Sequence, residues 1–328
     1  MRVTPKLNQF TLAAAVLMTA CGAAFAQSTA SYPTKPIRVV ITFPPGGSTD
    51  VIPRIVGQKL VERWGQPWVF DNRPGAGGQI GVDAVLKAPA DGYTLLVGPS
   101  GAIAVNPTLY KKLAYDPVRD LAPVAPLVKT PMVLMVPATW SGTVKDLIQQ
   151  SHAKPGKLSY GHGGNGTAMH LIGEMFKMTT GADLTPVPFK TSGEVITTIA
   201  GGQLNAGWVD SNFALTGLKS GRVRAIAVAS KDRASVLPDV PTVAESGFPG
   251  FDAQGWFGFF AAAGTPTDIV HRLNAEVRTV LAMPDVRERI LATGNEPWSS
   301  TPEEFSVFVR SEIVKWAKAV KQSGASAD

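Results

Sequence analysis

One local plan recurs along the chain: an apolar, β-rich run ends in a glycine-rich turn, and an amphipathic stretch follows. PIRVVITF leads into PPGGSTD, WVFDNR into PGAGGQIGVDAVL, and LSYG into HGGNGTAMHLIGEMF. Such alternation is typical of βαβ units, in which helices cover a largely parallel sheet. The repeat predicts an α/β fold. It also places glycine-rich turns at the carboxyl ends of strands, where open α/β sheets bind ligands.

Two proline-rich stretches interrupt this plan and predict two domains. Residues 113–137 contain five prolines, and residues 236–260 contain three before an apolar run. Because proline favours strand edges, turns and linkers, we interpret both stretches as crossings between domains. Domain 1 would comprise residues 32–131 and 253–328, and domain 2 would comprise residues 132–252. Each lobe is expected to be a mostly parallel sheet flanked by helices, with a cleft between the lobes and a hinge at the crossings.

The first 26 residues are predicted to be a secretory signal peptide. Arg2 and Lys6 precede the short apolar run at 11–20, and Ala-Phe-Ala at 24–26 has the form of a cleavage site. The only cysteine, Cys21, lies inside this segment; its lipidation is the less favoured alternative, because Met-Thr-Ala precedes it. We therefore expect a periplasmic protein without disulfides, stabilised by core burial.

The charge distribution excludes some partners and leaves others open. The formal net charge is +6, and the basic residues are spread singly. Without basic clusters or interleaved aromatic residues, nucleic-acid binding has no support. A mild positive bias is compatible with an anionic small ligand and equally with simple solubility. We expect a monomer.

The turn FPPGGSTD (43–50) has the composition of an anion site. A P-loop would continue with Lys-Ser/Thr after the glycines, and that lysine is missing. Amide groups at a helix N-terminus still attract a carboxylate, and glycines let it approach the backbone closely. The alternative is a tight turn in which Thr49 or Asp50 caps the helix.

The turn GHGGNG (161–166) spells G-x-G-x-x-G but fails as a dinucleotide site. That fold also needs an acidic residue at the end of the next strand, and Lys190 ends it here. We interpret the turn as a second anion-holding site and expect no cofactor. His162 and His170, with Glu174, suggest a metal only weakly, because the four histidines form no H-E-x-x-H. We expect no metal.

These stretches together resemble the solute-binding component of tripartite tricarboxylate transporters, the TctC-like or Bug family. The resemblance covers nearly the whole mature chain, in order. It rests on YPTKPIRVVITFPPGGSTD (32–50), DNRPGAGGQIGVDAVLKAPADGYTLLVGPSG (71–101), YDPVRDLAPVAPL (115–127), LSYGHGGNGTAMHLIGEMFK (158–177), VPFKTSGEVITTIAGGQLNAGWVD (187–210) and RAIAVASKDRASVLPDVPTVAESGFPGFDAQGWFGFFAAAGTP (224–266).

The resemblance implies a two-lobed protein that encloses a small organic mono-, di- or tricarboxylate and delivers it to membrane permease subunits. The predicted ligand-binding residues are Phe43, Pro45, Gly46, Gly47, Ser48, Thr49, Gly77, Gly78, Ser100, Gly101, His162, Gly163, Asn165, Gly166, Thr167, His170, Thr191, Ser192 and Asp210. Asp210 would repel a carboxylate at close range, so we expect it to accept from a ligand hydroxyl, an amine or water, or to hold the hinge.

At the position of His162 the family commonly has a small residue such as serine. The histidine would narrow the pocket or add a titratable donor near pH 6.5.

The alternative function is an exported α/β hydrolase or oxidoreductase acting on a carboxylate. Against it, GPSGA at 98–102 departs from G-x-S-x-G at its last position, and no cysteine survives removal of the leader.

Overall fold

The computed structural model describes residues 32–327. The predicted signal peptide and Cys21 lie outside the described residues. Within residues 32–327, no helix combines the length and the apolar character that a membrane span requires.

The strands within the described residues are, in chain order, β1 (Ile37–Ile41), β2 (Trp68–Asn72), β3 (Thr94–Pro99), β4 (Leu121–Thr130), β5 (Met132–Pro137), β6 (Ser159–His162), β7 (Thr185–Pro188), β8 (Ala206–Asp210), β9 (Val223–Val228), β10 (Gly255–Ala262) and β11 (Glu296–Pro297).

The helices are α1 (Ser48–Trp64), α2 (Gln79–Leu86), α3 (Asn106–Leu109), α4 (Pro117–Asp120), α5 (Val144–Ala153), α6 (Ala168–Thr180), α7 (Ser192–Ala200), α8 (Ser211–Lys219), α9 (Thr267–Leu281), α10 (Pro284–Ala292) and α11 (Pro302–Ser323). A 3-10 turn, Ala76–Gly78, precedes α2, and a π-helical turn, Gly101–Val105, precedes α3.

The strands form two sheets, which define two lobes. Lobe 1 is built on a six-stranded sheet in the order β11-β4-β10-β3-β1-β2, and lobe 2 on a five-stranded sheet in the order β7-β6-β8-β5-β9. The first sheet therefore takes strands from both ends of the described chain, and the second takes strands from its middle. The expected two-lobed α/β architecture is confirmed.

The sheets are mixed, so the expectation of mostly parallel sheets was wrong. In lobe 1, β1 runs parallel to β2 and β3, but β10 is antiparallel to β3 and β4, and β11 is antiparallel to β4. In lobe 2, β6 is parallel to β7 and β8, but β5 is antiparallel to β8 and β9. The parallel pairs lie within strand–helix–strand units. β5 and β10 enter their sheets directly after a crossing between lobes, so no βαβ connection fixes their direction.

One hydrophobic core runs through both lobes. The same buried cluster contains Leu96 of β3 and Trp208 of β8, and it continues to Trp316 of α11. Helix α11 packs against β4 in lobe 1 and against α6 in lobe 2. Its buried Glu312 accepts hydrogen bonds from the indole N–H groups of Trp256 and Trp316, each at 2.9 Å. The C-terminal helix therefore ties the two lobes together along one side.

Candidate ligand-binding site

Three predicted turns of lobe 1 meet at the carboxyl edge of its sheet. Strands β1, β2 and β3 are parallel neighbours, so the turns that follow them lie side by side. Asn72 Nδ2 donates to the Phe43 carbonyl at 3.0 Å. A Cβ placed on Gly78 would lie 3.1 Å from Ala102 Cβ. We call residues 43–49, 73–78 and 100–101 the lobe 1 cluster.

The start of α1 has backbone donors that lack a partner within residues 32–327. Gly47 is its N-cap residue, and no side chain caps it. The amides of Asp50 and Val51 donate to the Gly47 carbonyl, each at 2.9 Å. Within residues 32–327, no hydrogen-bond acceptor is found for the amides of Gly47, Ser48 or Thr49. A Cβ placed on Gly47 would meet no atom within 4 Å. Helix termini leave such first-turn donors for an anion or water.

Gly46 has a different role from its neighbour. Its amide donates to Asp50 Oδ2 at 3.0 Å, so it is not available to a ligand. Its φ of 96° lies in the left-handed region, whereas Gly47 has a φ of −82° that any residue can adopt. Gly46 therefore shapes the turn, and of the two glycines it alone has a positive φ.

Asp50 is the residue that fixes this turn. It is 5% exposed and accepts from Arg54 Nε at 2.9 Å and Asn72 Nδ2 at 3.0 Å. Burial alone would raise the pKa of the Asp50 carboxyl, but hydrogen bonds from Arg54, Gly46 and Asn72 bring it below its ordinary value. Asp50 therefore holds the turn through the Gly46 amide, but neither Thr49 nor Asp50 caps the helix, so the capping alternative was wrong.

The other predicted lobe 1 residues divide into packed and open positions. The Gly78 amide donates to the Gly75 carbonyl at 2.9 Å, and Gly78 is buried. A Cβ on Gly77 would lie 2.7 Å from the Tyr110 hydroxyl. Ser100 is 4% exposed, whereas a Cβ on Gly101 would meet nothing within 4 Å. Phe43 and Pro45 are exposed.

Three predicted turns of lobe 2 also meet at one sheet edge. The Phe189 amide donates to the His162 carbonyl at 2.8 Å, and Ser192 Oγ donates to Asp210 Oδ2 at 2.9 Å. These bonds join the ends of β6, β7 and β8. We call residues 161–167, 189–192 and 210 the lobe 2 cluster.

Several predicted donors of lobe 2 are occupied within the protein. The Gly166 amide donates to His170 Nδ1 at 3.1 Å. Thr167 Oγ1 donates to the Gly164 carbonyl at 2.7 Å and accepts from the His170 amide as the cap of α6. Thr191 caps α7 by accepting from the Glu194 amide at 3.2 Å. Asn165 is exposed and Gly163 is half-buried, and their ligand-binding role stays a prediction.

His162 and His170 form a stacked pair beside this turn. Their ring centroids are 4.4 Å apart with an interplanar angle of 26°. His162 is fully buried, and its Nδ1 lies 3.0 Å from the Gly164 carbonyl. A carbonyl can only accept, so Nδ1 carries the proton and Nε2 is an acceptor. Among the described residues, His162 Nε2 has no hydrogen-bond partner.

The buried environment keeps His162 neutral. Burial, reinforced by nearby His170, lowers the pKa of His162 to about 4, although the Gly164 carbonyl acts in the opposite direction. Burial also lowers the pKa of His170. The expectation of a titratable donor near pH 6.5 was therefore wrong: His162 stays uncharged above pH 6 and offers a lone pair.

The residues near His170 do not form a metal site. Glu174 Oε1 accepts from the Tyr160 hydroxyl at 2.8 Å and from Lys177 Nζ at 3.1 Å. Across residues 32–327, no group of three or more His, Cys, Asp or Glu side chains is arranged to hold a metal ion.

Asp210 is partly buried at the start of α8. Burial raises the pKa of its carboxyl, and hydrogen bonds from Ser192 Oγ and the Phe213 amide act against that shift. The Asp210 carboxyl group and His162 Nε2 are the acceptor groups of the lobe 2 cluster that bear on the ligand prediction.

The two clusters are joined through α3. A Cβ placed on Gly166 would overlap Leu109 Cδ2, so the lobe 2 turn lies directly against lobe 1 there. Asn106, in the same helix, donates from Nδ2 to the Gly77 carbonyl at 3.0 Å.

Two asparagines outside the predicted set bond to residues of the lobe 1 cluster. Asn72 bonds to both Phe43 and Asp50, and its place at the end of a strand before a glycine turn could have marked it. Asn295 Nδ2 donates to Ser48 Oγ at 3.0 Å. No local motif surrounds Asn295.

The chain matches a family model over residues 52–325; the family is described as tripartite tricarboxylate transporter family receptor. This chain belongs to that receptor family. The predicted resemblance is confirmed, and the receptor is a solute-binding protein rather than an enzyme. The alternative of an exported hydrolase or oxidoreductase was wrong.

Individual relatives agree with the family assignment. The receptor is 38% identical to protein BugT of Bordetella pertussis over 312 residues, 94% of this chain and 96% of BugT. It is similar to an R. palustris structure with adipate at 35% identity and a TM-score of 0.82, covering 90% of this chain and 99% of that one. MatC from Rhodopseudomonas palustris with bound malate is 32% identical, with a TM-score of 0.77 over 88% of this chain and 100% of MatC.

Proposed function

We propose that this receptor captures a small organic carboxylate between its lobes and that the lobe 1 cluster holds one carboxylate group. The observation that carries this proposal is the set of amides at Gly47, Ser48 and Thr49, for which no acceptor is found within residues 32–327, at the start of a 17-residue helix. Amides and helix dipole act together on an anion there. The hydroxyl groups of Ser48 and Thr49 add donors.

The relatives support a carboxylate as the ligand class. Two similar structures contain adipate and malate, both dicarboxylates. Amide donors recognise the charge and shape of a carboxylate, and this mode requires neither a metal ion nor a cofactor.

Lobe 2 contributes the opposite chemistry in this proposal. The Asp210 carboxyl group is an acceptor at the end of β8, so it favours a ligand hydroxyl, an amine or bridging water at the far end of the molecule. The remaining predicted lobe 2 donors are Asn165 and the Gly163 amide.

Capture would proceed by closure of two domains, residues 32–131 with 253–328 against residues 132–252. The chain crosses between the sheets once at Pro131 and once between β9 and β10. Those crossings act as the hinge, and the extra contacts made in the closed state drive the shift. Gly166 lies against Leu109 where the two lobes meet.

The receptor would act in the periplasm as a monomer and pass its ligand to membrane permease subunits. Family membership and the predicted signal peptide support this location.

Thermal unfolding with a ligand panel tests the proposed function. The panel contains adipate, malate, citrate and aromatic carboxylates, and each acid is matched with its uncharged amide. A carboxylate that binds should stabilise the protein by roughly 2.7 kcal/mol at 100 times its dissociation constant, and the matched amide should not. Equal stabilisation by acid and amide, or no stabilisation by any acid, would contradict the proposal.

A further inference from the structure

Ser48 is fixed by a residue far away in sequence. Asn295 is fully buried in the loop between α10 and β11. Its Nδ2 lies 3.0 Å from Ser48 Oγ, and the two residues are 247 positions apart. Thr130, at the end of β4, lies on the other side of the amide, with Oγ1 2.8 Å from Asn295 Oδ1.

The neighbours of Asn295 determine the direction of each hydrogen bond in the series from Thr130 through Asn295 to Ser48. Nδ2 also lies 3.0 Å from Thr293 Oγ1 and 3.1 Å from the Thr293 carbonyl, and because a carbonyl can only accept, the nitrogen must face that side. Oδ1 then faces Thr130 and accepts from its hydroxyl. Ser48 Oγ accepts from Nδ2, so its own proton is directed away from Asn295.

Within residues 32–327, the proton of the Ser48 hydroxyl has no hydrogen-bond acceptor. Ser48 is half-buried beside the free amides of α1. We propose that Asn295 is a positioning residue for ligand capture: it holds the Ser48 hydroxyl with its proton directed at the anion. This inference rests on the proposed function, because it concerns the same site.

A residue of lobe 2 bonds to both segments that carry this series of hydrogen bonds, one at Pro131 and one at Gly294. Ser211, at the start of α8, donates from its amide to the Pro131 carbonyl at 3.0 Å and from its hydroxyl to the Gly294 carbonyl. Pro131 follows Thr130, and Gly294 precedes Asn295. A Cβ on Gly294 would lie 2.9 Å from the Asn212 amide nitrogen. The orientation of Ser48 is therefore set where the two lobes join, and it depends on their relative position.

A double-mutant cycle between Asn295 and Ser48 tests the inference. Calorimetric titration is performed with adipate, malate and the other carboxylates of the panel on Ser48→Ala, Asn295→Ala and the double variant. A hydrogen bond to a charged group contributes enough that each single change should weaken binding by about tenfold or more. Because Asn295 acts through Ser48, the double variant should bind no more weakly than Ser48→Ala.

Asn274 provides the matched control. It is also buried in lobe 1, and its Nδ2 donates to the carbonyls of Val124 and Ser300 at 2.8 and 2.9 Å. Asn274→Ala should lower the unfolding temperature and leave affinity within about twofold, since it touches no ligand-binding residue. If Asn295→Ala fails to fold, Thr130→Val takes its place, because it removes the bond that fixes the amide and keeps the side-chain volume.

Each outcome of these titrations either supports or overturns the inference. Non-additive losses at Ser48 and Asn295 support the inference, whereas independent losses that multiply to about a hundredfold overturn it. Unchanged affinity in Asn295→Ala also overturns the inference. The same holds for unchanged affinity in Thr130→Val, where that variant replaces Asn295→Ala. If no carboxylate of the panel binds the unmodified protein, the proposed function fails and this inference fails with it.

Discussion

The two glycine-rich turns that open α1 and α6 look alike in sequence and differ in structure. In lobe 1, Asp50 occupies the Gly46 amide, and no acceptor within residues 32–327 is found for the amides of Gly47, Ser48 and Thr49. In lobe 2, His170 occupies the Gly166 amide, and Thr167 caps the helix. The two turns also differ in the free space around their glycines. A Cβ placed on Gly47 would meet no atom within 4 Å, whereas one placed on Gly166 would overlap Leu109.

The contrast separates two uses of glycine. At the start of α1, glycine keeps the backbone accessible, so donors remain for a ligand. At the start of α6, glycine permits close packing of the lobes, and the amides of Gly166 and Thr167 are satisfied within the protein. We therefore expect changes in the first turn to alter affinity and changes in the second to alter stability and closure.

Gly47→Val should have the largest effect. Its φ suits any residue and the site is open, so folding should be retained, but the side chain would cover the free amides. Loss of two or more hydrogen bonds to a carboxylate corresponds to about a thousandfold in affinity. Titration calorimetry with the best-binding acid, alongside thermal unfolding, measures both quantities. The lobe 2 counterpart is Gly163→Val, whose Cβ would lie 2.7 Å from Met169 Cε; it should lose stability more than affinity. If Gly47→Val lost mainly stability and Gly163→Val lost mainly affinity, the contrast between the two turns would be wrong.

The pH dependence of stability should come from the lobe 2 turn. The pKa of His162 is about 4 in the folded protein, against about 6.5 in the unfolded chain. The unfolded state therefore takes up a proton first as pH falls, and stability present above pH 6.5 is lost toward pH 4, on the order of 3 kcal/mol. His170 acts in the same direction, and Asp210, with its raised pKa, acts in the opposite one.

Urea unfolding between pH 7.5 and 4.5 measures this loss. His162→Asn removes the titrating group, so its curve should fall less steeply over the same range. Parallel curves for the two proteins would show that His162 does not titrate as its burial implies.

Gly166→Ala should destabilise the protein by about 2 kcal/mol. The residue has a φ of 75°, which is costly for alanine, and the added methyl would overlap Leu109. In a Leu109→Ala background the steric part of the loss should disappear and the backbone part should remain. Chemical unfolding of the four proteins gives both parts. An identical loss in both backgrounds would mean that the turn does not press on Leu109.

Lys190→Ala should have the smallest effect. Lys190 is exposed in the lobe 2 cluster, and its amide donates to Glu194 Oε2 at 3.0 Å. Solvent screening makes an exposed charge a weak contributor, so affinity should change by less than about twofold. A loss of tenfold that disappears at high salt would instead assign Lys190 to the ligand.

Local features of the sequence predicted much of this molecule. Apolar periodicity and glycine placement identified the strand–turn–helix units, because those signals act over a few neighbouring residues. The same signals placed the turns at the carboxyl edges of both sheets. Strand directions after the crossings were predicted wrongly, since no local pattern encodes them.

The tertiary structure alone decided which donors remain free. Gly46 and Gly166 looked like donors, yet side chains four positions along the chain occupy both amides. Ser48 receives its partner from position 295, and lobe 2 holds the loop that carries it. The sequence by itself determined where the amides could gather. The fold determined which of them lack a partner, because a hydrogen bond depends on where two groups lie in space and not on their separation along the chain.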